Sequence, residues 1–255
     1  MQRKASKVPV IAIGVAFHSS SQPLRESVES AVAQSVPGHD VRVIVLDSSS
    51  GAYARRLLRK CKFGTKVHVV KGASRSAYAA RNRLIRHAER KFPTLRWHVR
   101  LDADDRFASC CSLAGVMRSA KPRHRIILAG NRQLGPGDAL VGLNLPSSRL
   151  LGRSGLMSRL RGMASAFFKD ELPSCNLIMR AGHGWRYPAK PSAEDHWLLA
   201  SLLVRIPRTH VHICQEILID YRVGGSLTSA NKKMGLYLAQ RAKLLEAASG
   251  WHRDG

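Results

Sequence analysis

The sequence predicts an α/β fold with a largely parallel central sheet. Two patterns carry this. Short β-branched runs alternate with helical stretches from Val8 to Ala129, and polar residues gather where the apolar runs end. In open parallel sheets, ligands sit outside the carboxyl ends of strands. A third observation points to the same edge. Leu101-Asp102-Ala103-Asp104-Asp105 packs three carboxylates into four residues of a chain with 42 Lys+Arg against 17 Asp+Glu.

The elements follow in order. Val8 to Val15 is a buried strand. Pro23 opens a helix with Leu24, Val28, Ala31 and Val32 on one face, and Pro37-Gly38 stops it. Val41 to Leu46 is a second strand ending at Asp47, which completes a strand–helix–strand unit. Tyr53 to Lys60 is a basic helix, Lys66 to Val70 a short strand and Ala77 to Arg90 a helix. Leu95 to Leu101 is the strand that delivers the acid cluster. Cys110 to Ser119 is a helix and His124 to Ala129 a strand. From Asn131 to Asp170 the alternation breaks, with a turn at Gly135-Pro136-Gly137. Ser174 to Met179 is a short strand, Trp197 to Val204 an apolar helix, Val211 to Tyr221 a late strand and Met234 to Ala248 a terminal helix.

Composition narrows the partners. The formal charge is +25, which favours nucleic acid, an anionic membrane or phosphorylated substrates, or reflects a solvated Arg-rich surface. There is no run of eighteen apolar residues. The five cysteines are odd in number and form no C-x-x-C pair, so a reducing cytoplasm is expected rather than a zinc site or disulfide framework. Arg149, Arg153, Arg159 and Arg161 lie beside Leu150, Leu151, Leu156, Met157, Leu160, Met163, Phe167 and Phe168. Residues 149–168 are therefore expected to form a basic amphipathic segment. It would bind anionic membrane reversibly, close over substrate as a lid, or be an ordinary surface helix.

The acid cluster has a chemical reading and a plain one. Aspartates at i and i+2 of a strand-end turn can direct oxygens at one hard divalent ion, and Mg²⁺ completes its shell with phosphate and water. The plain reading is a solvated acidic turn. Glu194-Asp195 likewise reads in two ways. Ser192 followed by Asp195 three residues on suits a helix cap, and acids favour the positive end of a helix.

Together, in order, these stretches resemble the family-2 glycosyltransferases, inverting enzymes of the GT-A fold. Val8 to Phe17 looks like the family's opening strand. Ser27-Val28-Glu29-Ser30-Ala31-Val32-Ala33-Gln34-Ser35 and Val43-Ile44-Val45-Leu46-Asp47 resemble its first helix and nucleotide-side Asp. Ala80-Arg81-Asn82-Arg83-Leu84-Ile85 is similar to its Ala-Arg-Asn helix, and Leu101 to Asp105 to its metal-binding D-x-D. Glu194-Asp195-His196-Trp197 resembles its catalytic pair, and Tyr221-Arg222-Val223-Gly224-Gly225-Ser226 its closing loop. Three places depart. Val15-Ala16-Phe17-His18 stands for the usual Pro-Thr-Tyr-Asn. Ser48 stands for a second Asp, which leaves the base open. Val223 runs straight into Gly224 without the usual His.

The resemblance implies a GT-A type, Rossmann-like nucleotide-diphospho-sugar transferase fold in one domain over residues 1–230. The nucleotide-sugar half would span about 8–130 and the acceptor half about 131–230, with a C-terminal helix and tail at 231–255. It implies Mn²⁺ or Mg²⁺ held by Asp102 and Asp104, and a nucleotide-sugar donor, a UDP-sugar first. Asp47 would hold the nucleoside and Arg81 the diphosphate. Asp195 would be the general base, with Glu194 the alternative. The acceptor would be a glycan or lipid-linked molecule of cell-envelope polysaccharide synthesis. Trp185, Tyr187 and Trp197 would stack on sugars or pack in the core. Two other classes make their own demands. A nucleotidyltransferase needs a Gly-rich, Lys-containing loop after the first strand, and Val15 to Pro23 has none. An RNA-binding protein living on its charge would carry more aromatics or a nucleic-acid motif, so no specific nucleic acid is expected.

Overall fold

The computed structural model describes residues 8–18, 23–49, 52–61, 63–165, 172–223 and 235–251. Its first half repeats strand and helix: β1 Val10–Phe17, α1 Leu24–Val32, β2 Asp40–Asp47, α2 Tyr53–Arg59, β3 Val67–Lys71, α3 Ala77–Lys91 and β4 Leu95–Asp102. There follow β5 Arg106–Phe107, α4 Ser112–Arg118, β6 Ile126–Leu134, β7 Leu140–Asn144, α5 Arg153–Ala164, β8 Leu177–Arg180, α6 Glu194–Arg205, β9 Val211–Arg222 and α7 Leu236–Ser249. Up to α4, the strands and helices read from sequence lie within two residues of their expected ends.

Among the described residues nine strands form one mixed sheet, ordered β3-β2-β1-β4-β8-β6-β9-β5, with β7 on the side of β6. β1 pairs in parallel with β2 and β4, β2 with β3, and β6 with β9. β8 enters antiparallel between β4 and β6. Alternation sorts the faces of β1. Ile11, Ile13, Val15 and Phe17 enter the core built with α1, α2 and α4, while Ala12 faces α3. A Cβ on Gly14 would lie 3.4 Å from Leu84, so the small residue lets α3 sit close. α3 starts at Ser76, whose side chain accepts a hydrogen bond from the Ala79 N–H.

The second half departs from expectation in three ways. Asn131 lies inside β6, and the turn at Pro136–Asp138 joins β6 to β7 as a hairpin where a break in the pattern was expected. The segment 149–168 is not one amphipathic helix: a short 3₁₀ turn, Ser148–Leu151, precedes α5. Leu150, Leu156, Met157, Leu160 and Met163 are buried in a core shared with α6 and α7, so they are not free to enter a membrane. Phe167 and Phe168 lie outside the described residues, as do Ser19 to Ser21, Met234 and the Gly224 to Ser226 part of the closing loop. No described helix is long and apolar enough to cross a membrane.

Candidate active site

Strand register sets the floor of the site. Phe17 pairs with Asp47 and Ala16 with Asp102, so the carboxyl ends of β2 and β4 flank the end of β1 at one level. Asp47 is buried there. Its Oδ1 accepts from the Ser49 N–H at 3.1 Å and its Oδ2 from the Arg55 N–H at 3.3 Å. That turn orients the carboxylate and ties it to the start of α2. Ser48 donates from Oγ to the Gly72 carbonyl at 3.0 Å, which joins the ends of β2 and β3.

At the end of β4, two guanidiniums lie among three carboxylates. Arg100 precedes Asp102 by two residues and so shares its strand face. Its Nε donates to Asp102 Oδ1 at 2.8 Å and its Nη2 to Asp102 Oδ2. Its Nη1 donates to Asp195 Oδ2 at 2.7 Å. Arg81, on α3, donates from Nη2 to Asp102 Oδ1 at 3.3 Å and from Nη1 to Glu194 Oε1. Ser174 Oγ donates to Asp195 Oδ2 at 3.0 Å, and the His196 N–H to Asp195 Oδ1 at 2.9 Å. The structure thus brings Arg81, Asp102, Glu194 and Asp195 together. Their sequence positions span more than a hundred residues. Arg81 also lies over the Tyr187 ring, 5.5 Å from its centre.

The charges set the protonation of the acids. Burial pushes Asp102 towards its neutral form, but Arg100 and Arg81 outweigh it and hold the carboxyl at about 2. Burial also opposes ionisation of Asp195, yet His196, Arg100 and Arg81 keep it well below the usual range. Glu194 goes the other way: burial outweighs Arg81 and raises it. Asp104 is raised by burial and by Asp102. Asp105 is raised well above the usual range by burial, then by Asp104 and Asp102.

The capping reading of Ser192 and Asp195 holds in part. The cap position of α6 is Ala193, at φ 54°, whose side chain makes no capping hydrogen bond, and Glu194 and Asp195 both stand in the first turn at the positive end of the helix. Ser192 is buried, and Asp195, besides accepting from the His196 N–H, reaches Arg100 and Ser174. A left-handed alanine is uncommon, and such strain gathers where a chain holds side chains for function. Here it comes immediately before Glu194 and Asp195.

The fit to a divalent ion is uneven. Asp104 is in no ion pair among the described residues, and the push on its proton affinity is what a cation would relieve. Asp102, the other expected ligand, is committed to two guanidiniums on both oxygens. Among the described residues no group of three or more His, Cys, Asp or Glu side chains is set to hold a metal. Asp104 therefore fits as a protein ligand. Asp102 fits only where the ion takes the place of a guanidinium.

Sequence reasoning missed Arg100 and Ser174. Arg100 left a signal, a cation two residues before Asp102 on a predicted strand. Ser174 left none, since only the fold brings it to Asp195. It also missed the wall of the cluster. Arg222 donates from its N–H to Asp105 Oδ1 at 2.9 Å, and from Nη1 to the Asp104 carbonyl at 2.9 Å. Its Nη2 and the Arg106 guanidinium meet Glu26 of α1, and both arginines reach Asp138 of the hairpin turn. The aromatics pack. Tyr187 is buried, Trp185 stacks on His183 and Trp197 meets Trp251 edge-on.

Among curated proteins none matches the chain. Among solved structures, Staphylococcus aureus TarS residues 1–349 in complex with UDP-GlcNAc shares 17% identity at a TM-score of 0.62, covering 95% of this chain and 72% of that one. Glucosyl-3-phosphoglycerate synthase from Mycobacterium tuberculosis, bound to UDP, shares 13% at 0.61, covering 97% and 82%. The mannosyltransferase PcManGT from Pyrobaculum calidifontis, with GDP-Man and Mn²⁺, shares 14% at 0.57, covering 94% and 65%. These likenesses show a GT-A glycosyltransferase fold. The sequence profile described as Glycosyl transferase family 2 matches residues 12–145, just over half of the chain, and runs from within β1 to the end of β7, taking in Asp102 to Asp105. The chain belongs to glycosyl transferase family 2.

Proposed function

We propose that this glycosyltransferase moves a sugar from a nucleotide-diphosphate sugar, a UDP-sugar first, to a hydroxyl of a glycan or lipid-linked acceptor with inversion. The observation that carries the reading is the Arg100 bridge. It joins a strand-end carboxylate on the donor side, Asp102, to a helix-start carboxylate, Asp195. UDP or UDP-GlcNAc in two of the neighbours supports a uridine donor, and GDP-Man with Mn²⁺ in a third keeps guanosine and a metal in view.

In this reading Asp47 orients the nucleoside at the end of β2. Arg81 brings positive charge to the diphosphate side. Asp104, with Asp102 after it, would hold Mn²⁺ or Mg²⁺, which supplies charge neutralisation for the departing diphosphate. The acceptor oxygen bonds to the anomeric carbon as the bond from that carbon to the β-phosphate oxygen breaks. The hydroxyl proton goes to Asp195. Arg100 and Ser174 fix the direction of that carboxylate. Against burial, His196, Arg100 and Arg81 keep it ionised at the expense of basicity. Glu194 is the alternative base, with the higher proton affinity but with Arg81 on one oxygen.

Residues 8–130 would form the donor half and 131–230 the acceptor half of one domain. A cytoplasmic enzyme of cell-envelope polysaccharide synthesis, peripheral on the membrane, would suit a lipid-linked acceptor. The test is a panel of UDP-, GDP- and other nucleotide sugars, scored for hydrolysis and thermal stabilisation with Mn²⁺. One donor should stand out. A flat response across the panel, with and without Mn²⁺, would overturn the reading.

A further inference from the structure

Six large apolar side chains are exposed among the described residues, and five of them gather at one corner of the sheet: Leu140, Val141, Leu143 and Leu145 of the hairpin, and Val223. Backbone pairing keeps these residues close to one another, on both faces of the sheet edge. Leu140 pairs with Leu134 of β6, and the Leu134 carbonyl accepts from the Val223 N–H at 2.8 Å. Among the described residues β7 pairs with no strand but β6, which makes it an edge strand. Natural edges are usually defended by charge or proline. Ala139 to Leu145 contains neither.

The chain that follows supplies cations. Leu145 and Arg149 are four residues apart, so their Cα atoms lie within about 14 Å. Arg149, Arg153 and Arg161 are exposed. The leucines and methionines beside these arginines are buried in the core. Arg149 thus follows the apolar hairpin closely, and Arg149 and Arg161 stand exposed where the neighbouring apolar side chains are buried, while Arg153 donates to the Ser249 and Trp251 carbonyls. A second copy is a poor occupant, because each copy carries +25. An anionic bilayer answers both features.

We propose that the β6–β7 hairpin, with the arginines that follow it, seats the protein on anionic phospholipid. Contact stays at headgroup depth. Backbone N–H and C=O groups of an edge strand need water or headgroups and cannot enter hydrocarbon. The turn places this contact beside the catalytic cluster. Asp138 accepts from Arg106 at 2.8 Å and from Arg222 at 3.3 Å, and Arg222 holds the Asp104 carbonyl. The proposal rests on the lipid-linked acceptor reading only for its purpose. Binding itself is tested apart from it.

The experiment is flotation of the full chain with phosphatidylcholine vesicles, with and without phosphatidylglycerol, at low and high salt. Wild type should float with anionic vesicles and release in salt. Leu140→Ser/Val141→Ser/Leu143→Ser should lose about tenfold or more of that partition. Arg149→Ser/Arg161→Ser should lose part of it. Val141→Glu, a single change at an exposed site, guards against misfolding of the triple variant. Thermal melts and vesicle-free donor hydrolysis should match wild type in all of them. Equal flotation on neutral and anionic vesicles, or full retention in both hairpin variants, overturns the proposal. So does a wild-type dimer by light scattering that Val141→Glu dissociates, without flotation of either. Flotation as expected in a protein that hydrolyses no nucleotide sugar supports this surface while removing the transferase reading.

Discussion

Arg100 holds two carboxylates that the proposed chemistry uses separately, and its side chain is only 9% exposed. Removing one partner of a buried ion pair leaves the other uncompensated, at a cost of about 3–5 kcal/mol. Arg100→Met should therefore lower thermal stability as well as abolish transfer. Arg100→Lys should keep most of the stability but lose rate, because an ammonium cannot donate to Asp102 and Asp195 in the same fixed fork. Stopped assays and melts on the two variants check this, and equal rates in Lys and wild type would deny Arg100 its positioning role. Asp195→Asn should lose about 10²–10⁴-fold in rate while donor affinity by calorimetry stays near wild type. If Glu194→Gln shows that split instead, the base is Glu194. At this scale the sequence made Asp47, Arg81, Asp102, Asp104, Glu194 and Asp195 visible as residue types in order. What it hid was commitment: that Asp102 is paired to arginines, and that Asp195 answers to Ser174.

Among elements, α3 and the segment before α6 are locked by one buried reciprocal pair. Asn82 Nδ2 donates to the Tyr187 carbonyl at 2.8 Å, and the Tyr187 N–H donates to Asn82 Oδ1 at 2.7 Å. Asn82→Ala strands both backbone groups, each worth about 1–3 kcal/mol. Because Tyr187 lies beside Arg81, the variant should also raise the donor KM. Denaturant melts and donor titration measure the two effects. A neutral change in both would show that the pair neither anchors α3 nor positions Arg81. Elements with a single period and clear punctuation, from β1 to α4, were readable in the chain. The hairpin was not: Leu140 to Leu145 is apolar but mostly exposed, so alternation carried no signal of which face is buried. Helix α5 misled because its leucines serve the core beneath it rather than a partner outside.

For the molecule as a whole, two buried histidines tie stability to pH. Burial, with the positive charge of Arg186, brings His98 to about 4 against the partial help of Glu89. Burial, followed by His212 and Arg123, brings His124 to about 4. Both take up a proton in the unfolded chain near 6.5 but not in the folded one until about 4. Stability should therefore be held above 6.5 and lost as pH falls towards 4. His98 alone accounts for about 2 kcal/mol between pH 7 and 5. Urea midpoints across that range should fall, and His98→Gln should flatten part of the slope. A wild-type midpoint independent of pH would contradict the assignment. The mixed order of the sheet belongs to this scale too. A parallel first half was legible from alternation, while the antiparallel entry of β8 between β4 and β6 was not, because a four-residue strand records no direction. In the proposed mechanism Asp104 and Asp195 divide the labour between donor binding and proton transfer. With the donor found by the panel, calorimetric donor affinity and donor turnover should be measured together on wild type, Asp104→Asn and Asp195→Asn, with Mn²⁺ and with excess chelator. Asp104→Asn should lose Mn²⁺-dependent donor binding, and Asp195→Asn should bind donor as wild type does but turn it over about 10²–10⁴-fold more slowly. Undiminished binding and turnover in both variants would contradict that mechanism.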